Sequence, residues 1–333
     1  MAANYHRGMK LTIEPPQWAT ELLSDLTDMD RAPLQLDPAD QQPIEYDLPE
    51  DVYFEYAFRD EKGEILGDPA NDRGVESPWF PNASSVVGPE YEPDELAELG
   101  DAKPSGETER LRLTSDLLPG QTRRVTVYTP AEHVGKELPL VLVQDGVAFN
   151  RIGRINEVAD VLLGRGELRP ARFAFIEPVD RVQEYGFAPA YREFVTEELL
   201  PKLETDFPAT GERIWLGASL GGLFSATVAL EHPELVDALV SFSGAFLGTP
   251  EEKRFYRTDD SWLLERLKSG AEPPARWYME VGTLEWLADV HEQLAAVLEG
   301  LGATYELTRR SAGHNWTSWR NGQARALRYV LGV

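Results

Sequence analysis

The sequence predicts an α/β protein: a largely parallel central sheet covered on both faces by helices, preceded by a small β-rich module. Three observations carry this. From residue 109 onward, short apolar runs alternate with segments of helical spacing, and such alternation builds parallel sheets because each crossover is a helix. The run Leu138–Gln144 is nearly continuous in apolar residues, as a strand buried on both faces must be. The charge also changes character along the chain. Residues 1–108 hold 7 basic and 25 acidic side chains, whereas residues 109–333 hold 25 and 32.

That change lies beside Glu90–Glu107, a stretch rich in acidic residues with Pro93, Gly100, Pro104 and Gly106. The composition suits an exposed linker. The expected division is therefore 1–108 for the acidic β-rich module and linker, and 109–333 for the α/β domain. In the module, Pro15-Pro16 predicts a short helix over Gln17–Leu26. Ile44–Asp47 and Val52–Arg59 read as strands, the second placing Tyr53, Glu55, Ala57 and Arg59 on one face and Val52, Phe54, Tyr56 and Phe58 on the other.

In the α/β region, Arg110–Ser115 and Arg124–Tyr128 read as alternating strands joined at Pro119-Gly120. Further strands are expected at Leu138–Gln144, Phe173–Glu177, Ile214–Gly217, Ala238–Ser243, Trp277–Val281 and Tyr305–Arg309. Helices are expected at Ile155–Leu163, Tyr191–Leu203, Leu220–Glu231, Val290–Leu301 and Asn321–Leu331.

The whole chain has 333 residues and a formal net charge of −25. Long-range repulsion at that charge excludes nucleic acid and anionic membranes as general partners. There is no cysteine, so disulfides, thiolate zinc sites, iron–sulfur clusters and a cysteine nucleophile are excluded. No apolar run approaches the ~20 residues of a membrane helix, and the first ten residues lack an apolar signal core. The cytoplasm is the expected compartment. No His and carboxylate cluster has metal-ligand spacing, and no cofactor is expected. The sequence leaves oligomeric state, and any adaptation to salt, open.

Gly217-Ala218-Ser219-Leu220-Gly221 matches G-x-S-x-G between an expected strand and an expected helix, the context of a nucleophile elbow in an α/β-hydrolase. The chain must turn sharply there, and glycines at minus two and plus two let strand and helix approach closely. Ser219 then projects at a helix N-terminus, where free N–H groups favour a developing negative charge. In this fold the acid and then the histidine follow the serine. His232 stands at a helix end as a cap, and His291 reads as a surface residue of a helix. His314 lies on the loop after the last strand, where the base belongs. For the acid, Glu285 lies just past the strand Trp277–Val281, with Glu280 and Asp289 as alternatives. The oxyanion donors expected are the N–H groups of Leu220 and, on the Asp145-Gly146 turn, Val147.

Together these stretches resemble the enterochelin (ferric-siderophore) esterase family among the esterase D-related serine esterases. The matching segments are Ser115–Pro130, Val143–Gly146, Arg181–Tyr185, Glu197–Pro201, Gly217–Gly222, Gly282–Glu285 and Gly313–Trp319, in family order across residues 109–333. The resemblance implies an α/β-hydrolase with an N-terminal immunoglobulin-like (early-set) module, and hydrolysis of carboxylic esters, in siderophore esterases those of a trilactone. It implies Ser219, His314 and Glu285 as the catalytic set, although some relatives use a Ser–His dyad. It places Asp145, Arg181, Glu184, Tyr185 and Trp316 at the substrate. An anionic iron chelate needs a locally basic pocket in so acidic a chain, for which Arg151, Arg154, Arg181 and Arg320 are candidates. The alternatives are a serine esterase on small or acetylated-sugar esters, and a non-catalytic ligand-binding protein that keeps the fold. Either way the partner expected is a small molecule.

Overall fold

The apolar runs set the element boundaries in the computed structural model, which describes residues 8–100, 103–252, 255 and 258–333. His6, and Asp101 of the linker, lie outside the described residues. The chain divides into two compact units. The first takes in residues up to Asp94 with Gly282–Ala288 and Arg309–Asn321; the second takes in Glu95–Val281, Asp289–Thr308 and Gly322–Val333. The first long segment thus closes at Asp94, ahead of the boundary expected near residue 108. From Glu95 onward the described linker residues go with the second unit, whose sheet already includes the strand Glu107–Thr114.

In the first unit, β1 (Gly8–Ile13) pairs antiparallel with β4 (Ile44–Pro49). A second antiparallel sheet joins β3 (Leu34–Gln35), β2 (Ala19–Ser24), β5 (Tyr53–Asp60) and β6 (Ile65–Leu66), with β7 (Ser84–Val87) also on β5. Ile13 and Leu48 of the first sheet pack with Leu22, Phe54 and Phe58 of the second. Each sheet hides its apolar face against the other. The helix expected over Gln17–Leu26 is instead strand β2. Leu22 and Leu23 are both fully buried. Neighbours in a strand point to opposite faces, so two-sided burial there favours a strand paired to β3 and β5. The face of β5 expected to be polar is covered too: Glu55 is only 1% exposed.

The second unit carries an eight-stranded sheet. Its strands are β8 (Glu107–Thr114), β9 (Thr122–Thr129), β10 (Leu138–Val143), β11 (Arg172–Ile176), β12 (Ala209–Ala218), β13 (Ala238–Phe242), β14 (Trp277–Gly282) and β15 (Tyr305–Arg310), in the order β15-β14-β13-β12-β10-β11-β9-β8. The five strands from β11 to β14 are parallel, and β8 and β9 run antiparallel at one side. Helices α2 (Ile155–Gly164), α6 (Leu220–Glu231), α8 (Ala288–Gly300) and α9 (Trp316–Leu331) fall where helical spacing predicts them, α9 starting five residues early. The expected helix Tyr191–Leu203 lies within a helical run made of α4 (Pro189–Glu193), a π turn at Phe194–Leu199 and α5 (Leu200–Asp206). Three short helices have too few turns to show a period: α1 (Gly146–Arg151), α3 (Arg181–Tyr185) and α7 (Trp262–Lys268).

Two details correct or place functional expectations. His291 is fully buried with its ring 4.9 Å from that of Phe246, and is no surface residue. Strand β10 lies between β11 and β12, so the chain leaves β10 to one side and returns on the other. In open α/β sheets the crevice at such a reversal, beyond the carboxyl ends of the strands, is where ligands bind. The residues after β10 and β12 are Gln144–Val147 and Ser219. Among the described residues no helix is long and apolar enough to cross a membrane.

Candidate active site

In the second unit, Ser219 sits between β12 and α6 with φ 53° and ψ −121°. An L-residue reaches that backbone only under strain that its surroundings enforce. Its N–H donates to Phe242 O at 2.9 Å, and its carbonyl accepts from Ala245 N–H at 2.9 Å. Both fix the turn against β13. The flanking glycines are needed for space. A Cβ on Gly217 would lie 2.3 Å from the carbonyl carbon of Gly221, and one on Gly222 would lie 3.1 Å from Gly244 Cα. Leu220 is the first residue of α6, so its N–H is among those that have no acceptor within the helix.

Behind the elbow, Arg181 grips Asp145 with two bonds of 2.8 and 2.9 Å and donates to Ala218 O at 3.2 Å. Such a bidentate pair has fixed geometry, and here it ties the loop after β10 to the residue before Ser219. Tyr185 adds a third tie, its hydroxyl accepting Asp145 N–H at 2.9 Å.

In the first unit, the loops after β14 and β15 are joined by backbone bonds from Thr283 N–H to Arg310 O (2.8 Å) and Leu284 N–H to Ala312 O (3.0 Å). Glu285 Oε1 accepts Gly282 N–H at 2.6 Å, and Oε2 pairs with His314 Nδ1. With a proton on Nδ1 donated to this carboxylate, Nε2 is the basic nitrogen. The imidazole is held between Trp286 and Trp319, with ring centroids 4.5 and 5.0 Å away, and Arg31 lies over the Trp286 ring at 4.2 Å. Of the three candidate acids, Glu285 is the one joined to His314. Glu280 accepts Tyr278 O–H at 2.9 Å, and Asp289 lies in the first turn of α8.

The same unit places two carboxyls there that sequence reasoning missed. Asp25 Oδ2 accepts Glu55 N–H at 2.8 Å and Asn315 Nδ2–H at 3.1 Å. A Cβ on Gly313 would lie 2.3 Å from Asp25 Cγ, so the glycine before His314 lets this carboxyl approach. Glu55 accepts from the hydroxyls of Tyr53 (3.1 Å) and Thr317 (3.5 Å). Burial pushes Asp25 up to about 7, and the negative charge of Glu285 adds to the rise. Burial and then the charge of Asp25 push Glu55 up to about 8. No pattern marked them: Asp25 falls in a segment that reads as helix, and Glu55 on a face that reads as polar.

Several expected substrate contacts are committed elsewhere. Val147 N–H donates to Glu177 Oε2 at 2.9 Å, so it is no free oxyanion donor. Asp145 and Arg181 are paired with each other. Glu184 is buried, bonded to Arg123 at 2.7 Å and to Asp180 N–H at 3.0 Å, and holds the start of α3. Tyr185 and Trp316 are fully buried, Tyr185 against Phe224 and Trp316 against Trp79 and Trp319. Arg320 pairs with Glu76. Among the described residues no group of His, Asp and Glu side chains could hold a metal ion.

Comparison with known proteins gives four matches. A family profile described as "Putative esterase" matches residues 116–329. The iron(III) salmochelin esterase of Escherichia coli O6:H1 is 26% identical over 230 residues, covering 64% of this chain and 55% of that protein. The iron(III) enterobactin esterase of E. coli K12 is 26% identical over 216 residues, covering 62% and 53%. This chain's match thus spans about half the length of these curated relatives. The crystal structure of an enterobactin esterase from Shigella flexneri superposes with a TM-score of 0.74 at 21% identity, over 96% of this chain and 92% of that one, and so shares the fold.

Proposed function

The chain belongs to the family described as "Putative esterase", and on that premise we propose that it hydrolyses carboxylic esters with Ser219 as nucleophile, acting on siderophore-type esters such as an enterobactin-like trilactone. The observation that carries this reading is the strained backbone of Ser219 at the head of α6, a conformation retained for chemistry rather than packing. The esterases named for salmochelin and enterobactin among the relatives support the substrate class.

In the proposed reaction, His314 Nε2 takes the proton of Ser219 Oγ as Oγ attacks the ester carbonyl carbon. Glu285 holds the imidazole through Nδ1 and stabilises the imidazolium. Leu220 N–H, reinforced by the α6 dipole, donates to the carbonyl oxygen as it becomes an oxyanion. Collapse expels the alkoxide, which takes the proton from His314 Nε2 and leaves an acyl group on Ser219. Water, deprotonated by the same nitrogen, then adds to the acyl carbon; the bond to Ser219 Oγ breaks, Oγ takes the proton back from His314 Nε2, and the carboxylic acid leaves. Iron, where the substrate carries it, is cargo and takes no part in these steps.

The test is hydrolysis of a ferric trilactone siderophore, followed by chromatography of the released acids, beside p-nitrophenyl acetate. The wild type should cleave the trilactone, and Ser219→Ala should lose at least about 10⁴-fold in kcat while melting normally. Activity that survives in Ser219→Ala would overturn the nucleophile. Cleavage of simple esters without the trilactone would overturn the substrate class alone.

A further inference from the structure

A cleft of about 510 Å³ in the second unit has none of Ser219, Leu220, Glu285 and His314 in its lining, and it holds Arg151 and Arg154, two of the arginines expected from the sequence to make a basic pocket. It is lined by Arg110 and Arg112 of β8, Arg124 of β9, Arg151 of α1 and Arg154 just before α2. Five arginines thus line it beside two glutamates, Glu157 and Glu177. Arg154 is bonded to Glu157 at 3.3 Å and to Gly100 O at 2.8 Å. The other four arginines make no ion pair among the described residues. Elsewhere in the unit, pairing is the rule: Arg123, Arg165, Arg169, Arg192, Arg213 and Arg328 all hold carboxylates.

The register makes the cluster costly. Arg112 stands directly opposite Arg124 across the β8–β9 pair, and like charges facing each other on a sheet are destabilising. Arginines on an edge strand also guard against edge-to-edge association, but such guards have no reason to meet cations from a helix and a loop over a concavity. The convergence is better explained by a ligand that neutralises them.

The geometry points to this cleft as a binding site for a small polyanion, a ligand with two or more phosphate or carboxylate groups. Arginine's planar fork bonds both kinds of group through paired N–H donors. The volume lies in the range of small-molecule sites, and the chain's net charge of −25 repels a nucleic acid or an anionic membrane while leaving a local field for a compact ligand. Glu157 is paired with Arg154, and Glu177 accepts Val147 N–H within the field of Arg124 and Arg151, so the two carboxylates leave most of the cleft's positive charge uncompensated. The proposal does not depend on the esterase reading.

Isothermal titration of the full chain with pyrophosphate and with citrate, at 50 mM salt, tests it, with acetate at matched ionic strength as control. Saturable binding is expected for at least one, and the preferred probe separates phosphate from carboxylate ligands. Arg112→Gln with Arg124→Gln should weaken it at least about tenfold, and 300 mM salt should weaken it too. Ser219→Ala should bind as the wild type does. The double variant should melt at the same or a higher temperature without ligand, because a like-charge pair is gone, and should still cleave p-nitrophenyl acetate if the wild type does. No saturable binding of either probe, binding indifferent to the double substitution, or a lowered melting temperature without ligand would overturn the proposal.

Discussion

Replacing Asp25 with Asn should remove most of a pH-dependent loss of stability that the wild type suffers above pH 5. Asp25 is buried, and its neighbours in charge are Glu55 and Glu285, both acidic; the charge of Arg320 reaches Glu55. Its carboxyl rises from an ordinary 3.8 to about 7 on folding. The unfolded chain therefore gives up this proton near pH 4, and the folded chain keeps it until near pH 7. Between those values the folded state binds more protons, so stability falls as pH rises, and the whole contribution is lost above the folded value. A rise of roughly three pH units is worth about 4 kcal/mol at 1.36 kcal/mol each. Glu55 follows the same sign into the range of pH 8, but each charge is part of the other's rise, so the two do not add. An amide at position 25 keeps an oxygen for Glu55 N–H and Asn315 and cannot ionise. Urea unfolding, followed by circular dichroism from pH 4.5 to 8.5, gives the comparison. Wild-type stability minus variant stability should fall by about 3 kcal/mol between pH 5 and pH 8, because only about two pH units, from 5 up to the folded value, lie in that range. A difference that is flat with pH would refute the reasoning, since lost packing carries no proton.

Two further substitutions test the proposed chemistry. Glu285→Gln keeps the side chain's shape but removes the charge on His314 Nδ1; kcat for ester hydrolysis should fall by about 10³–10⁴ with KM little changed, and steady-state kinetics on p-nitrophenyl acetate reads it. Gly217→Ala puts a Cβ 2.3 Å from the backbone of Gly221, where nothing can yield; stability should drop by about 2 kcal/mol or more, and labelling of Ser219 by a fluorophosphonate should slow.

The second unit was largely legible in the sequence because its elements are long and their burial is one-sided or complete. Leu220–Glu231 shows both bounds of α6, with the serine before it and His232 at its cap. The parallel core strands announce themselves as apolar runs. What could not be read was where a polar side chain in such a motif would point. Arg181, Glu184 and Tyr185 come as one sequence motif, yet Arg181 pairs with Asp145, Glu184 with Arg123, and Tyr185 is packed on Phe224. A motif marks what must be held in place, and the holders look the same in sequence as residues that touch a ligand. The cleft arginines of β8 and β9 were hidden by the same ambiguity, since alternating charges on a strand read as an ordinary solvated face.

The N-terminal module failed to declare its role for a different reason: its decisive contacts are remote in sequence. Asp25 and Asn315 are 290 residues apart, and Thr317 bonds to Tyr53 across 264. Tyr53 N–H donates to Ser311 O, so the backbone of β5 itself is tied to the chain just before His314. A charge count could see only that residues 1–108 are acidic. The structure divides that acidity by use. Most of it is exposed, whereas Asp25 and Glu55 are buried under the loop that bears His314. Loop closure costs little more as its length grows, so contacts this remote are no weaker than local ones once formed. The module is therefore better regarded as the support of the His314–Glu285 pair than as an appended binding domain, and the low pH at which its carboxyls are neutral is where that support is strongest.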